Sequence, residues 1–245
     1  MLAIFKEKLV KAPKELKSPA AWTKPKLSDE ILQQFMRCNS SNAFSMCFGN
    51  DALLAYSPSN IHQRLFSGLD DIYCVFLGGL NNLSMLNKQY GLSKGANEAM
   101  LIIQAYRTLR DRAPYPAYQV LKELEGSFGF LIYDNMDRTV FVASGSNGHV
   151  ALYWGIAADG SLVISENLDL IKASCAKSFA PFPTGCMFHS EHGLMNFEEP
   201  TKKMKAMPRI DSEGVMCGAN FNVDSQSKIQ LMPRVGSEAN WASWN

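Results

Sequence analysis

From residue 126 onward, apolar side chains recur at every second position in four runs, over 128–133, 139–143, 151–155 and 162–165. Successive side chains of a strand point to opposite faces, so a sustained period of two demands a sheet. Each gap between the runs carries turn chemistry: Asp134-Asn135, the glycine-bounded segment 145–148, and Asp159-Gly160. Gly, Asn and Asp tolerate the tight reversals and positive φ that antiparallel strands need.

The rest of the chain is less regular. Residues 1–5 read as a short strand, and 8–27 as a surface loop rich in Pro, Lys and Ser. Ser28-Asp29-Glu30 offers an N-cap and carboxylates for a helix over 31–36. Residues 43–48, a Gly49-Asn50-Asp51 turn and 52–56 form a hairpin pattern. A buried strand over 72–76 ends at Gly78-Gly79. Helices follow over 80–87, closing at Tyr90-Gly91, then over 97–110 and 117–124. A short helix near 167–172 precedes strand segments around Met187 and over 215–222. Strands at both ends with helices between them predict one α+β domain of two packed sheets, residues 1–232. The tail, 233–245, carries Trp241 and Trp244, which read as capping the domain or contacting a neighbouring chain.

Composition narrows the function. Apolar residues are 47% of the 245, enough for a core that needs no disulfide or metal staple. Lys plus Arg (24) balances Asp plus Glu (23), so no field gathers nucleic acid or anionic lipid. No window approaches the roughly 18 apolar residues of a membrane span, and the start lacks a secretory signal. A cytoplasmic location is expected, with the nucleus as the alternative. Cys38, Cys47, Cys74, Cys175, Cys186 and Cys217 form no CxxC pair and read as small hydrophobes. His189 and His192, in His-Ser-Glu-His, read as part of a turn, and no metal or cofactor is expected.

The segment 124–134, LEGSFGFLIYD, is similar to the "L-x-G-x-F-[AS]-F-x-x-x-D" block of class II glutamine amidotransferases, such as the asparagine synthetase N-terminal domain. Other blocks follow in the same order. Ala143 through Leu152-Tyr153-Trp154-Gly155 resembles "A-R-D-x-x-G-x-x-P-L-Y-x-G". Ser165-Glu166-Asn167-Leu168 resembles "S-S-E-L", and Phe182-Pro183-Thr184-Gly185 resembles "F-P-P-G". Upstream, Phe76-Leu77-Gly78-Gly79-Leu80-Asn81-Asn82 resembles "F-N-G-E-I-Y-N", and Met1-Leu2-Ala3-Ile4-Phe5 resembles "M-C-G-I-F". The set spans residues 1 to 195 and implies a four-layer αββα sandwich of the Ntn-hydrolase type. More closely, Tyr90-Gly91-Leu92 and Leu109-Arg110-Asp111-Arg112 match two motifs of the plant aluminium-induced (stem-specific, auxin-repressed-like) proteins.

Carried over residue by residue, the resemblance implies a site without its chemistry. Active class II enzymes remove Met1 and use the cysteine at position 2 as nucleophile, with its own amine as base. Here position 2 is Leu2, whose bulk also disfavours removal of Met1, and Ala3 replaces the next glycine. The oxyanion hole needs an Asn side chain and a glycine N–H; Leu77 takes the first place and Gly78 the second. Losing one such donor typically slows catalysis about 10²–10³-fold. The aspartate that holds the substrate amine aligns with Ala96. The arginine that holds its carboxylate is expected near 56–58, where none occurs, and Arg64 aligns elsewhere. Ser144-Gly145 stands at the family's "R-D".

The expectation is a non-catalytic scaffold in plant stress and hormone response, self-assembling at least to a dimer, with Leu2 as an apolar plug in the old cleft. The alternative is a hydrolase or amidase with a rebuilt site. Cys74, Cys47 and the Ser144–Ser146–Asn147 loop offer no nucleophile with an evident base.

Overall fold

The computed structural model describes residues 1–18, 24–39, 42–58, 63–111, 117–210, 214 and 216–225. The chain opens on β1 (Leu2–Phe5), passes a 3-10 turn at Lys14–Leu16 and enters α1 (Ser28–Cys38). The hairpin β2 (Phe44–Phe48) and β3 (Ala52–Tyr56) follows. A second hairpin joins β4 (Arg64–Leu69) to β5 (Ile72–Leu80). Next come α2 (Leu83–Gln89), α3 (Glu98–Asp111) and α4 (Ala117–Lys122), then β6 (Gly126–Asp134) and β7 (Thr139–Ser144). The remainder is β8 (Tyr153–Ile156), β9 (Leu162–Ser165), α5 (Leu168–Cys175), β10 (Phe179–Pro181), β11 (Cys186–His189), β12 (Gly193–Asn196), β13 (Met204–Ile210) and β14 (Met216–Val223).

The described strands form two six-stranded sheets, β10-β8-β9-β1-β3-β2 and β12-β11-β7-β6-β5-β4, plus the ribbon β13-β14. Alternation along each strand sorts side chains into three cores. Ala3, Phe5, Leu54 and Ile164 of the first sheet meet Val75, Leu131, Tyr133 and Val142 of the second. On the outer face of the second sheet, Phe76, Phe130 and Ile132 pack on Leu86 of α2, Leu101 and Ile102 of α3 and Leu121 of α4. On the outer face of the first, Ile4 and Val163 pack on Ile31 and Phe35 of α1 and Leu170 and Ile171 of α5. Helices, sheet, sheet, helices: this is the expected αββα sandwich.

Several elements differ from their sequence signals. β4 carries no period of two, because it is an edge strand with both faces partly exposed, so no alternation is demanded of it. α2 begins at Leu83 and not at residue 80, because Gly79 and Leu80 stay in β5, opposite Ser127 and Gly126. α1 begins at Ser28, with Leu27 as the capping residue; the Leu27 N–H donates to Glu30 Oε2 at 2.9 Å, one half of a capping box. The Ser28 hydroxyl instead donates to Asp159 Oδ2 at 2.6 Å. β10 and β12 are too short to show periodicity. Arg112, Val215 and the tail with Trp241 and Trp244 lie outside the described residues. Among those described, no helix is long and apolar enough to cross a membrane.

Candidate functional site

β1 lies in the middle of its sheet, with Leu2 opposite Ala55 of β3 and Ser165 of β9. This places the Met1 amine where β9 ends and Glu166 begins. The Glu166 carboxylate takes the ammonium on both oxygens, with Oε2 at 2.6 Å and Oε1 in still closer contact. Oε1 also lies 2.9 Å from Arg64 Nη2. Arg64 comes from β4 of the opposite sheet, so one carboxylate ties the two sheets together at this end. The Arg64 Nη1 donates to Ser57 O at 3.2 Å, while its Nε is buried without a hydrogen-bond partner among the described residues. Burial lowers the pKa of the Met1 amine below its ordinary value near 8.0; the Glu166 charge and hydrogen bond oppose this, and Arg64 reinforces it.

The residues matched to amidotransferase chemistry are all accounted for by packing. Leu2 is buried at 1% exposure, among Ile31, Phe35 and Leu170 beneath the helices. It packs on the helix side of its sheet and not between the two sheets. Strand alternation turns it outward, and Met1 and Leu77 are the side chains that enter the inter-sheet core. Ala3 is fully buried there. Gly78 has φ +89°, and a Cβ at that position would lie 2.0 Å from Ser127 O. Its N–H donates to Gln63 O at 2.9 Å, extending the β4–β5 ladder. Only glycine fits, and its donor is already paired. Ala96 is buried and its carbonyl accepts from Asn87 Nδ2 at 2.9 Å.

Arg64, which the sequence aligns elsewhere, is the arginine that reaches the chain start. Residues 56–58, where the resemblance places the anchor, lie before the stretch that leads into β4, and an edge strand without periodicity gives no signal of where its side chains point. Cys74 points into the helix-facing core, and burial raises its thiol pKa strongly. Burial pushes the Cys175 and Cys186 thiols up to about 12. None of these three is an available thiolate. Cys47 is exposed on β2.

The loop after β7 is less bland than its turn chemistry suggests. Ser144 is buried and Ser146 Oγ donates to Glu198 Oε1 at 2.5 Å. Asn147 Nδ2 donates to Ser127 Oγ at 2.8 Å and to Gly126 O at 3.0 Å. His149 Nδ1 lies 3.2 Å from the same Ser127 Oγ. Ser127 lies on β6 opposite Gly79, and His149 reaches it from the loop between β7 and β8. The two residues are 22 apart in sequence, and nothing in their spacing announces them.

The described residues of the two short motifs make structural contacts. At the end of α2, the Leu92 N–H donates to Asn87 O (2.7 Å) and the Gly91 N–H to Lys88 O (3.2 Å), with Gly91 at φ +69°. That is a Schellman cap: Tyr90-Gly91-Leu92 is a helix stop, with Leu92 packed against the core. In the second motif, Arg110 Nη1 lies 2.9 Å from Asp134 Oδ2, on a fully buried carboxylate. Arg110 Nε also bonds Asp111 Oδ1 at 2.9 Å. Asp134 in turn accepts the Met136 and Asp137 N–H groups at 3.0 and 3.1 Å, so α3 is fastened to the β6–β7 turn.

Residues 2–223, which include both motifs and every element of the sandwich, match the family model described as aluminium induced protein. The chain belongs to the aluminium-induced protein family. It is 40% identical over 149 residues to the stem-specific protein TSJT1 of Nicotiana tabacum, covering 58% of this chain and 99% of that protein. It is also similar to a probable glutamine-hydrolyzing asparagine synthetase of Dictyostelium discoideum, 38% identical over 68 residues, 28% of this chain and 12% of that protein. A glutamine-hydrolyzing asparagine synthetase of Lotus japonicus is 33% identical over 86 residues, 35% of this chain and 14% of that enzyme. The chain thus spans a small part of the synthetases it matches. Among solved structures, glutamine phosphoribosylpyrophosphate amidotransferase from B. subtilis aligns with a TM-score of 0.45 at 17% identity, covering 61% of this chain and 35% of that one. A glutamine aminotransferase class-II domain protein from Silicibacter pomeroyi aligns at 0.40 and 12% identity, covering 71% and 74%.

Proposed function

We propose that this aluminium-induced family member is a non-catalytic protein that keeps an amidotransferase-like sandwich as a binding or self-assembling scaffold in plant stress and hormone response. The observation that carries this reading is Glu166, whose carboxylate engages both the Met1 ammonium and Arg64. An N-terminal amine acts as a base only when its lone pair is free and a nucleophile stands beside it. Here the amine is enclosed against the Glu166 carboxylate with no nucleophile beside it, Leu2 points away beneath the helices, and the Gly78 N–H is held by Gln63. Met207, Ile210 and Met216, exposed on the β13–β14 ribbon, supply apolar surface for self-association. The test is glutamine turnover by the purified protein at high concentration, together with its intact mass and sedimentation. Turnover above a buffer blank, or a mass lacking Met1, overturns the reading of the site; a strict monomer overturns self-assembly.

A hydrolase with a rebuilt site is favoured by one observation, the contact between Ser127 Oγ and His149 Nδ1. In that reading Ser127 is the nucleophile and His149 its base, with Asn147 orienting the hydroxyl. Activated esters separate the two proposals: ester hydrolysis lost in Ser127→Ala supports the hydrolase, and equal rates in both proteins dismiss it.

A further inference from the structure

The turn between β11 and β12 is hydrogen-bonded to the neighbouring strand. Gly193 takes φ +77°, and Ser190 is clamped to β7 from both sides. Its N–H donates to Val140 O at 2.9 Å, and the Val140 N–H donates to Ser190 Oγ at 3.1 Å. On this loop the ligating atoms of His189, Glu191 and His192 all lie within 4.8 Å of one another. The two imidazoles stack with centroids 4.5 Å apart and planes 19° apart, and His189 meets the Phe141 ring edge-on at 6.1 Å.

We propose that this turn is a surface site for one divalent ion of borderline softness (Zn²⁺, Ni²⁺ or Cu²⁺), held by His189, Glu191 and His192 with water completing the shell. Two imidazoles and one carboxylate are a donor set that such ions prefer, whereas hard ions want more oxygen ligands. Bonds of about 2.0–2.2 Å in a tetrahedral shell set donors about 3.3–3.5 Å apart. The exposed Glu191 and His192 side chains close that gap by small rotations while the backbone stays clamped.

The site is not free of cost. The Glu191 N–H donates to His189 Nδ1 at 3.2 Å, which leaves the proton of the neutral ring on Nε2. Coordination at Nδ1 gives up that hydrogen bond, and coordination at Nε2 requires the proton to move. Affinity is accordingly far weaker than that of a closed four-ligand structural site.

Titration of the full chain with Co²⁺, followed by visible absorption, and with Zn²⁺, followed by calorimetry, tests the assignment. One equivalent of each is expected to bind, with a Co²⁺ d–d spectrum that lacks thiolate charge transfer. His192→Ala lowers affinity at least tenfold without shifting the metal-free melting temperature, and Glu191→Gln lowers it several-fold. Al³⁺ does not displace bound Co²⁺. Unchanged affinity in His192→Ala, absence of saturable binding, or a thiolate band placing the ion on a cysteine each overturns the proposal.

Discussion

Arg64 Nη2 stands 2.9 Å from Glu166 Oε1, joining a strand of one sheet to the residue that directly follows β9 of the other. The same carboxylate holds the Met1 ammonium, so removing it strands two cations. Glu166→Gln is expected to cost about 2 kcal/mol, below the roughly 3–5 of a fully buried pair because the carboxylate is 18% exposed. Urea denaturation measures this, and a loss under about 0.5 kcal/mol would show that water already screens the triad.

The Met1 amine gives the protein a pH signature. Its pKa is lowered on folding, so the unfolded chain binds more protons just below pH 8. Stability therefore rises as pH is raised through that window and levels off above the unfolded value near 8. Glu166 opposes the depression, so Glu166→Gln should make the rise steeper. Denaturant midpoints of the two proteins at closely spaced pH values decide it; a parallel pair of curves rejects the linkage.

Gly91→Ala forces a Cβ into a left-handed position at the end of α2, where space is open but the backbone is not permissive. The expected loss is about 1 kcal/mol. It should appear as faster amide exchange at position 91 and at Leu92, with the rest of α2 unaffected.

Arg110→Ala leaves the fully buried Asp134 carboxylate without its cation. About 3 kcal/mol of stability should go, and Asp134→Asn in the same chain should recover part of it. A thermal-melt double-mutant cycle reads the coupling directly; additive losses would mean that Arg110 acts through Asp111 and Asp137 instead.

Leu2→Cys is expected to restore no glutaminase activity. The new side chain would still face α1 and α5, and the Gly78 N–H would still be paired with Gln63 O. Measurable ammonia release from glutamine by this single variant would contradict that arrangement.

Much of this architecture is legible from residue order. The hairpin of β2 and β3 declares itself because its Gly49-Asn50-Asp51 turn separates two apolar runs, and β6 through β9 because each buries at least one face. β4 is silent: as an edge strand it has no face that must be apolar. The departures of Leu2, Leu77 and Ala96 from the amidotransferase pattern can also be read, but not which way Leu2 points, since that depends on the register against β3 and β9. The pairs Glu166–Arg64 and Ser127–His149 join residues from distant segments, and their contact exists only after the strands have been ordered.

Gly78 has a longer consequence. Its amide is a rung of the sheet, and its missing Cβ is dictated by Ser127 O on the neighbouring strand. Side chains can be reverted one codon at a time, but a backbone donor in a ladder is released only by sliding an entire strand. At this end of the sandwich the surface is therefore free to vary from one sequence to the next, while the backbone pairing beneath it is not.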